Sequence, residues 1–479
     1  MTPVATTDLA IIGAGPGGYV AALRAAQLGM KVTLIESTHL GGVCLNRGCI
    51  PTKAMLQTAA IAHEVRRAAT FGVMTQGQVE IDYPAVLVRR DAVVAKLRHG
   101  VRGLLRQAKV EVVAGRASFV APAAVSIEPT AADIGAGKGA TSAGPQTLEA
   151  AHVLVATGSR PAVLDVPGAK HPRVLDSDGA LALKSVPSSL LVVGAGAVGC
   201  EWSLVFARLG SKVTLVEALP SILPREDSDM SKILAKSLGA EGVSIHTEAA
   251  VKAIREDTGG LSVEFSGASL NGLSVEYVLV AAGRFPHTEG LNLAAAGVKT
   301  DSRGYILTNA YQVTNVPSVL AIGDVTGQAL LAHVASRQGI VAVEKLAGLS
   351  PQPVRADRIP SVTYTDPEVA SVGLTEAQAR DTGHEVLVGR FPFSASGRAQ
   401  TQGSDSGLVK IVAESRFGQV LGVHMVGPHV GELLAEAVLA LELEATLSEL
   451  SSVIRAHPTL SEALGEAALA AAGCALHTG

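Results

Sequence analysis

Two stretches of the chain repeat one pattern, in which an apolar strand, a glycine-rich turn, a helix and a second apolar strand follow each other. The first covers residues 8–36 and reads LAIIG, then the glycines, then YVAALRAAQLG and KVTLIE. The second covers residues 190–217 and reads LLVVG, AVGCEWSLVFARLG and KVTLVE in the same order. Each stretch matches the βαβ unit of a dinucleotide-binding domain. The repeat therefore predicts an α/β protein with two Rossmann-like nucleotide-binding domains.

The glycines in both turns fit the spacing Gly-x-Gly-x-x-Gly. In that pattern the first glycine permits a tight turn, the second lets the backbone approach a pyrophosphate, and the third lets the helix pack against the strand. The phosphates are expected at the helix N-terminus, where N–H groups without helical partners and the helix dipole favour anions. The predicted nucleotide-binding glycines are Gly13, Gly15 and Gly18 in the first unit and Gly194, Gly196 and Gly199 in the second.

A glutamate ends the second strand of each unit, Glu36 in the first and Glu217 in the second. A carboxylate at this position is placed to accept hydrogen bonds from ribose hydroxyls, and it repels the additional phosphate of NADP. No arginine stands at the end of the second unit's strand. The sequence therefore favours NAD at the second unit, and basic residues elsewhere in the chain are the alternative source of an NADP preference.

Two cysteines, Cys44 and Cys49, lie in the segment GGVCLNRGCIPTK shortly after the first unit. A disulfide between them would close so small a ring that it would remove little entropy from the unfolded chain, so a structural cross-link is a poor explanation. A metal site needs about four ligands, and the segment contains no second cysteine pair. A pair of incidental thiols and a redox-active disulfide remain, and the flanking context favours the redox disulfide.

Composition excludes several classes of protein. The chain has 479 residues, enough for several domains, and its four cysteines are too few for a secreted disulfide scaffold and suit a reducing compartment. A net charge of −4 without a basic run gives no case for nucleic-acid binding. No stretch reaches a span of about 20 uncharged apolar residues, and no basic residue precedes the first apolar run as in a signal peptide. A cytoplasmic protein that binds neither nucleic acid nor membrane is expected.

Three further regions complete the predicted organisation. Residues 121–145 are rich in Ala, Gly, Pro, Thr and Ser, and we interpret them as a hairpin region with a flexible insertion. The segments HVLVATGSRP at 152–161 and YVLVAAGRFP at 277–286 resemble each other and are expected at domain crossovers. After Val354, the segments SVTYTDPEVASVGLT, LVKIVAE and VLGVHMVG predict antiparallel strands of a separate C-terminal α+β domain.

Two more motifs lie downstream of the nucleotide-binding units, GDVTG at 323–327 and HPTLSE at 457–462. Together with the glycine turns and GGVCLNRGCIPTK, they resemble the flavin-dependent pyridine nucleotide–disulfide oxidoreductases over essentially the whole chain. The resemblance implies FAD at the first nucleotide site, NAD at the second, and a homodimer. The implied segments are an FAD-binding domain over 1–160 and 286–353, an NAD-binding domain over 161–285, and a C-terminal dimerisation domain over 354–479.

The resemblance also implies catalytic roles, residue by residue. Cys44 resembles the thiol that forms a mixed disulfide with the substrate, and Cys49 the thiolate that contacts the flavin and passes electrons to it. His457 resembles a catalytic base contributed by the opposite subunit, and Glu462 the carboxylate that orients its ring. The chemistry agrees, because a thiol with an ordinary pKa of about 8.5 attacks a disulfide only after it has lost its proton.

Cofactor-binding roles are implied by the same resemblance. Lys53 resembles the family lysine near the flavin N5, which pairs with a glutamate in the position of Glu201. Asp324 resembles the aspartate that binds the ribityl chain, and Ala332 begins a helix whose N–H groups are expected to face the flavin pyrimidine edge. No metal site is predicted. The other predicted cofactor-binding residues are Ala117, Thr157, Gly158, Val251, Gly283 and Arg284.

Within the family, GGVCLNRGCIPTK and RAHPTLSE are most similar to the members that oxidise dihydrolipoyl groups. The resemblance implies a substrate carried by the lipoyl domain of a 2-oxoacid dehydrogenase acyltransferase or by a glycine-cleavage carrier protein. One alternative is an NADPH-dependent disulfide reductase of the glutathione reductase type, and Glu217 argues against it. The other is a flavoprotein with a structural or protein-binding role, and the joint presence of Cys44, Cys49, Lys53 and His457 argues against that.

A few residues depart from the family pattern. Arg47, between the two cysteines, replaces a residue that is more usually small and apolar, and its positive charge could lower a thiol pKa. His287 stands where an asparagine usually follows the GR-x-P turn. Cys474 is a single C-terminal thiol where some family members carry a reactive pair. We interpret Cys474, like the helix-borne Cys200, as non-catalytic.

Overall fold

The structure is a computed structural model that describes residues 5–134, 145–267, 270 and 272–477. It contains two compact units, each assembled from separated stretches of the chain. The first unit comprises Met1–Ala54, Ala85–Ala162 and Arg284–Val354. The second unit comprises Met55–Pro84, Val163–Gly283 and Arg355–Gly479.

The secondary structure alternates between strands and helices along most of the chain. Within the described residues the α-helices are α1 (Pro16–Gln27), α2 (Gly42–Arg47), α3 (Cys49–Arg67), α4 (Tyr83–Gln107), α5 (Ser177–Ala182), α6 (Ala197–Leu209), α7 (Ser228–Ala240), α8 (Ala332–Leu346), α9 (Glu376–Asp381), α10 (Gly397–Gln402), α11 (Val430–Glu442), α12 (Leu447–Ser452) and α13 (Glu462–Ala471).

The strands of the same residues are β1 (Ala5–Ile12), β2 (Val32–Glu36), β3 (Glu111–Ala121), β4 (Ala124–Pro129), β5 (Gln146–Val155), β6 (Ser159–Pro161), β7 (Val174–Leu175), β8 (Ser189–Val193), β9 (Lys212–Val216), β10 (Ser244–His246), β11 (Ala249–Asp257), β12 (Gly260–Gly267), β13 (Leu273–Val275), β14 (Tyr277–Val280), β15 (Arg284–Pro286), β16 (Val319–Ala321), β17 (Ser361–Thr363), β18 (Glu368–Gly373), β19 (Val386–Pro392), β20 (Leu408–Glu414) and β21 (Val420–Gly427). Most are short, as is usual in α/β proteins.

The first unit is built on a six-stranded sheet that has a hydrophobic core on both faces. β1 pairs in parallel with β2 on one side and with β5 on the other, and β5 also pairs in parallel with β16. Because successive side chains of a strand point to opposite faces, Leu9 and Ile11 join the core under α1 and α8. Ala10 and Ile12 join the core on the other face, with Phe119. Burial on both faces explains why β1 is a continuous apolar run.

β3 changes its pairing partner along its length. Its first part is parallel to β2, with Glu111 opposite Thr33, and its second part is antiparallel to β4, with Gly115 opposite Pro129. A Cβ at Gly115 would lie 2.4 Å from Ile127 Cγ2, so this close approach requires glycine. β4 also pairs antiparallel with β5, so the hairpin region predicted at 121–145 contains β4. The predicted insertion falls mainly on residues 135–144, which lie outside the described residues.

The second unit contains a parallel sheet and two antiparallel sheets. β10, β9, β8, β14 and β7 form the parallel sheet in that order, and β11, β12 and β13 form a small antiparallel sheet. The C-terminal part is a five-stranded antiparallel sheet in the order β17, β18, β21, β20, β19, against which α11 and α13 pack. The predicted antiparallel strands after residue 354 are thus confirmed, as is the change from an α/β to an α+β pattern.

The longest described helix, α4, has 25 residues but carries many charged side chains. Across the ranges that the structure describes, no helix has both the length and the apolar composition needed to cross a membrane. The same ranges contain no group of three or more His, Cys, Asp or Glu side chains arranged to hold a metal ion.

Candidate active site

The first glycine turn joins β1 to α1 in the first unit. Gly13 has a φ of +103°, which favours glycine, and a Cβ there would lie 2.5 Å from Ala156 O. A Cβ at Gly18 would lie 1.9 Å from Gly13 O, so α1 can start this close to β1 only with glycine. At Gly15, the N-cap of α1, a Cβ would meet only Gly42 Cα, at 4.0 Å. The helix start therefore has unpaired N–H groups and room beside them, which fits a dinucleotide pyrophosphate.

Glu36 ends β2 and is 7% exposed. Its Oε2 accepts a hydrogen bond from Ala14 N at 2.8 Å, and its Oε1 accepts bonds from Thr38 N at 2.7 Å and Thr38 Oγ1 at 2.9 Å. The carboxylate thus ties the glycine turn to the end of the strand. Because a carboxylate offers about four lone-pair sites, one acceptor position remains for the ribose hydroxyl that the sequence predicts.

The two cysteines of the motif lie together in the first unit, Cys44 in α2 and Cys49 at the start of α3. Both are free thiols joined by a hydrogen bond, with Cys44 partly buried and Cys49 exposed. The hydrogen bond to Cys49 and burial raise the pKa of the Cys44 thiol, while the positive charge of Lys53 acts in the opposite direction. Two sulfurs in this contact can form and break a disulfide with little movement of the backbone.

Asn46 was not identified from the sequence, although it stands between the two cysteines. Its Nδ2 donates to Leu40 O at 2.9 Å and to Gly42 O at 2.8 Å, and its Oδ1 accepts from Arg98 Nε at 2.9 Å. These bonds fix the short helix that carries Cys44. The signal for this role was a polar residue inside the motif that had no assigned chemistry.

Asp324, Ser159 and Arg284 form a polar cluster in the first unit. Asp324 Oδ2 accepts a hydrogen bond from Ser159 Oγ at 2.5 Å and lies 3.9 Å from Arg284 Nε, which donates to Ser159 Oγ at 2.6 Å. Burial raises the pKa of Asp324, and its contacts with Ser159 and Arg284 oppose that shift. Ser159 was not identified from the sequence, although it lies in one of the two similar crossover segments. These segments pair antiparallel as β6 and β15.

Several other predicted flavin-site residues lie in the same unit. Thr157 Oγ1 donates to His287 O at 2.7 Å, and His287 N donates to Gly158 O at 3.0 Å, so the backbone at His287 is well bonded. Burial lowers the pKa of the His287 imidazole. Ala117 is buried in β3, and Ala332 is the first residue of α8, as predicted. Their contacts with FAD stay predictions.

The second glycine turn joins β8 to α6 in the second unit and repeats the geometry of the first. Gly194 has a φ of +99°, and a Cβ at Gly199 would lie 1.8 Å from Gly194 O. A Cβ at Gly196 would meet nothing within 4 Å, which leaves room for a pyrophosphate at the start of α6. Glu217 Oε2 accepts from Ala195 N at 2.7 Å, and its Oε1 accepts from Leu219 N at 3.0 Å.

Three other predicted cofactor residues lie in the second unit. Glu201 is 3% exposed in α6 and its Oε1 accepts a hydrogen bond from Tyr364 N at 3.0 Å. Val251 lies in β11, and Gly283 has a φ of +110° with space where a Cβ would be. Lys53 belongs to the first unit, so its pairing with Glu201 stays a prediction.

His457 and Glu462 form a hydrogen-bonded pair in the second unit. His457 Nδ1 lies 2.9 Å from Glu462 Oε1, and Glu462 Oε2 accepts from Thr459 N at 2.8 Å. Burial acts to raise the pKa of Glu462, but the Thr459 N–H and the His457 imidazole outweigh it and hold this pKa below its ordinary range. The bond fixes the ring of His457 and leaves Nε2 to act as a base, with the side chain 80% exposed in the single chain.

The remaining cysteines differ from the pair in α2 and α3. Cys200 is fully buried in α6, and burial raises the pKa of its thiol, which makes it unreactive. Cys474 is exposed after α13, and its Sγ lies 3.6 Å from Ala472 O. Neither has a described cysteine as a partner. These environments are compatible with the prediction that both are non-catalytic.

Known proteins resemble this chain over nearly its whole length. The sequence pattern of pyridine nucleotide-disulphide oxidoreductases matches residues 7–339, and the pattern of their dimerisation domain matches residues 359–468. A dihydrolipoyl dehydrogenase of Thermus scotoductus is 45% identical over 477 residues, which cover 98% of this chain and 99% of that protein. A dihydrolipoyl dehydrogenase of Bacillus subtilis is 42% identical over 474 residues, again covering 98% and 99%.

A solved structure shares the fold. The HOCl-induced flavoprotein disulfide reductase RclA of Escherichia coli matches with a TM-score of 0.84 at 28% identity, covering 96% of this chain and 99% of that one. The family resemblance predicted from the sequence is confirmed, together with the α/β fold and its C-terminal dimerisation domain. FAD and NAD are the cofactors implied by these matches.

Proposed function

We propose that this chain, which belongs to the pyridine nucleotide-disulphide oxidoreductase family, oxidises protein-bound dihydrolipoyl groups and reduces NAD+ to NADH. The observation that carries the proposal is the hydrogen-bonded thiol pair of Cys44 and Cys49 in a chain 45% identical to a dihydrolipoyl dehydrogenase. The match to the dimerisation domain supports a homodimer as the working form. The enzyme is an oxidoreductase whose electrons enter through two sulfurs.

In the proposed reaction, the Cys44–Cys49 disulfide accepts two electrons from the substrate dithiol. His457 takes the proton of one substrate thiol, and the resulting thiolate attacks Cys44 Sγ, so the S–S bond breaks and Cys49 leaves as a thiolate. The second substrate thiol loses its proton and displaces Cys44 from the mixed disulfide. The lipoyl disulfide is then free, and the chain holds both electrons on its two sulfurs.

The residues of the first unit that would hold FAD are the first glycine turn, Glu36 and Asp324, and those that would hold NAD are the second glycine turn and Glu217. FAD, when bound, supplies the two-electron carrier between the reduced thiol pair and NAD+. The open positions beside Gly15 and Gly196 fit the two pyrophosphates. Glu217 supports NAD over NADP, because its carboxylate repels a ribose phosphate.

The source of the substrate is inferred from the proposed chemistry. A dihydrolipoyl group is carried on a flexible arm by a separate protein, so we propose the lipoyl domain of a 2-oxoacid dehydrogenase acyltransferase or a glycine-cleavage carrier protein as the partner. Single-turnover assays with each isolated lipoyl-bearing protein would identify it. A rate no higher than that of free dihydrolipoamide for both carriers would contradict a protein-bound substrate.

The activity is tested by comparing two reactions in the same flavin-loaded preparation. One contains dihydrolipoamide and NAD+, and the other contains glutathione disulfide and NADPH. We expect NADH formation in the first reaction and only background in the second. The opposite result would assign the chain to the glutathione reductase type, and background in both would leave the thiol pair without its proposed substrate.

The role of His457 is tested by mixing two inactive variants. If His457 acts on the thiol pair of the other subunit, a dimer of one His457→Gln chain and one Cys44→Ser chain contains one site with both lesions and one site with neither. A statistical mixture should recover roughly a quarter of wild-type activity, because about half the dimers are mixed and each has one working site of two. If mixed dimers are verified by mass and no activity returns, His457 does not act across the dimer.

A further inference from the structure

The helix that begins at Glu462 carries a second glutamate, Glu466, one turn further along, and each glutamate binds an imidazole. His457 Nδ1 lies 2.9 Å from Glu462 Oε1, and His477 Nδ1 lies 2.8 Å from Glu466 Oε1. His477 comes from the segment after α13, so the chain returns to the helix that carries the proposed catalytic pair. The structure therefore contains two similar imidazole–carboxylate pairs side by side.

The spacing of the two glutamates makes the pairs neighbours. Residues four apart on a helix lie on one face, with their Cβ atoms about 5–6 Å apart, and like charges at this spacing repel each other. Glu466 is 15% exposed, and its Oε2 is buried without a hydrogen-bond partner among the described residues. An enclosed carboxylate of this kind strongly favours a cation beside it, because an unpaired buried charge is costly.

His477 also acts on the first pair. Its positive charge is one of the influences that lower the pKa of Glu462, after burial, which opposes them, and after the contributions of Thr459 and His457. The C-terminal segment is thus electrostatically coupled to the carboxylate that orients the proposed base. The hydrogen bond to Glu466 gives this coupling a fixed geometry.

We propose that His477 is a positioning residue for His457: by pairing with Glu466, it leaves Glu462 as the one carboxylate of this helix face directed at the base. Without His477, Glu466 would become a second carboxylate competing for the His457 imidazole. The ring would then be held less uniquely, and the added negative charge would favour its protonated form, which is not a base. This inference rests on the proposed role of His457 in thiol oxidation.

The other charged groups near α13 are already paired. Arg455 Nη1 would lie 2.6 Å from a Cβ at Gly465, and Arg455 is paired with Glu436. Of the strands against which α13 packs, β19 carries Arg390, which pairs with Asp229 and Glu376, and β20 carries Lys410, which pairs with Asp227, Asp229 and Glu376. On α12, Glu449 bonds to Thr446. His477 is therefore the one cation that the described residues place on Glu466.

The test compares His477→Gln, Glu466→Gln and the double variant with wild type. The readout is the pH dependence of kcat/KM for dihydrolipoamide in the flavin-loaded dimer. His477→Gln should move the acid limb to higher pH by about 0.3 unit, the size expected for one charge at this separation in a solvated site, and lower kcat/KM roughly twofold below that limb. Glu466→Gln should move the limb in the opposite direction, and the double variant should regain the loss caused by His477→Gln.

Cys474→Ser is the matched control, because it alters the same C-terminal segment without touching either pair, and it should leave the profile unchanged. Flavin content and the thermal midpoint verify folding of every variant. A His477→Gln profile that coincides with wild type, or a double variant worse than both single variants, would overturn the inference. His457→Gln separates the two hypotheses: if it retains full activity, the proposed base is wrong, whereas inactive His457→Gln beside unaltered His477→Gln contradicts only the role of His477.

Discussion

The two dinucleotide-binding turns of this chain share one backbone geometry. The first glycine of each turn has nearly the same φ, +103° at Gly13 and +99° at Gly194. A Cβ at the third glycine would clash with the first glycine's oxygen in both, at 1.9 Å for Gly18 and 1.8 Å for Gly199. The repeated sequence pattern thus produces a repeated structure, and the functional difference between the units must arise outside the glycines.

The glutamates located after the turns differ in how they are held. Glu36 is buried and accepts three hydrogen bonds from the chain, whereas Glu217 is half-buried and accepts two. We infer that the more enclosed acid suits a cofactor that stays bound, and the more open acid a cofactor that exchanges in each turnover. The units differ also in their downstream segments, because only the first glutamate is succeeded by helices that carry a cysteine pair, α2 and α3.

The largest expected effect separates the thiol segment from both nucleotide sites. Cys44→Ser and Cys49→Ser should each reduce dihydrolipoamide oxidation to background, because one sulfur cannot form the disulfide that accepts two electrons. Both turns are untouched, so bound flavin and NADH-driven reduction of ferricyanide should remain. Steady-state assays of the two reactions measure this, with Cys474→Ser as the control. Substantial dihydrolipoamide activity in either variant would show that this pair is not the electron entry.

The next largest effect breaks each turn separately. Gly18→Ala and Gly199→Ala each force a Cβ into a backbone oxygen, at a cost of about 1–3 kcal/mol or more. Gly18→Ala should lose bound flavin, whereas Gly199→Ala should keep flavin and weaken NAD binding. Absorbance of the purified proteins and NAD titrations report the two outcomes. If both variants lost the same cofactor, the assignment of FAD and NAD to different turns would fail.

A smaller effect concerns the open acid of the second unit. Glu217→Arg should shift the preference from NAD toward NADP by roughly 10–100-fold, because a charge-assisted hydrogen bond to phosphate contributes about 1.5–3 kcal/mol. Initial rates with both nucleotides measure the ratio, and Glu217→Gln separates loss of the acid from gain of the cation. An unaltered ratio in Glu217→Arg would mean that this side chain does not reach the ribose.

The smallest effect compares the two acids directly. Glu36→Gln removes acceptor capacity from a buried group with three donors and should lower the free energy of unfolding by about 1–3 kcal/mol, while Glu217→Gln should cost only about 1 kcal/mol. Denaturant unfolding of the two variants under the same conditions measures the difference. Equal losses would indicate that the burial of Glu36 has no energetic consequence, and the comparison between an enclosed and an open acid would lose its basis.

Much of the architecture was predictable because it depends on local pattern. The helix of the first unit begins at Pro16 and that of the second at Ala197, directly after the glycine turns. The start of α8 at Ala332 and the antiparallel C-terminal strands were also predicted from short segments. Glycine spacing, apolar runs and turn residues act within a few positions of the chain, so a single sequence reports them.

Contacts between distant segments were less accessible. Ser159 bonds Asp324 and Arg284, and these three residues come from three separate segments of the first unit. His477 bonds Glu466 from beyond the end of α13, although nothing in the local sequence marks it. Such pairs depend on where the chain returns in space, and one sequence without relatives carries no record of that.

The sequence by itself determined the two nucleotide-binding units, the thiol pair and the family, because each is encoded by residues close together in the chain. Only the tertiary structure decided how the acids are satisfied, with Glu36 and Glu217 each bonded to the turn before it. It alone decided that two imidazoles share one helix face at Glu462 and Glu466. The physical reason is that hydrogen-bond partners and burial are properties of packed segments, and packing brings together residues that the chain order separates.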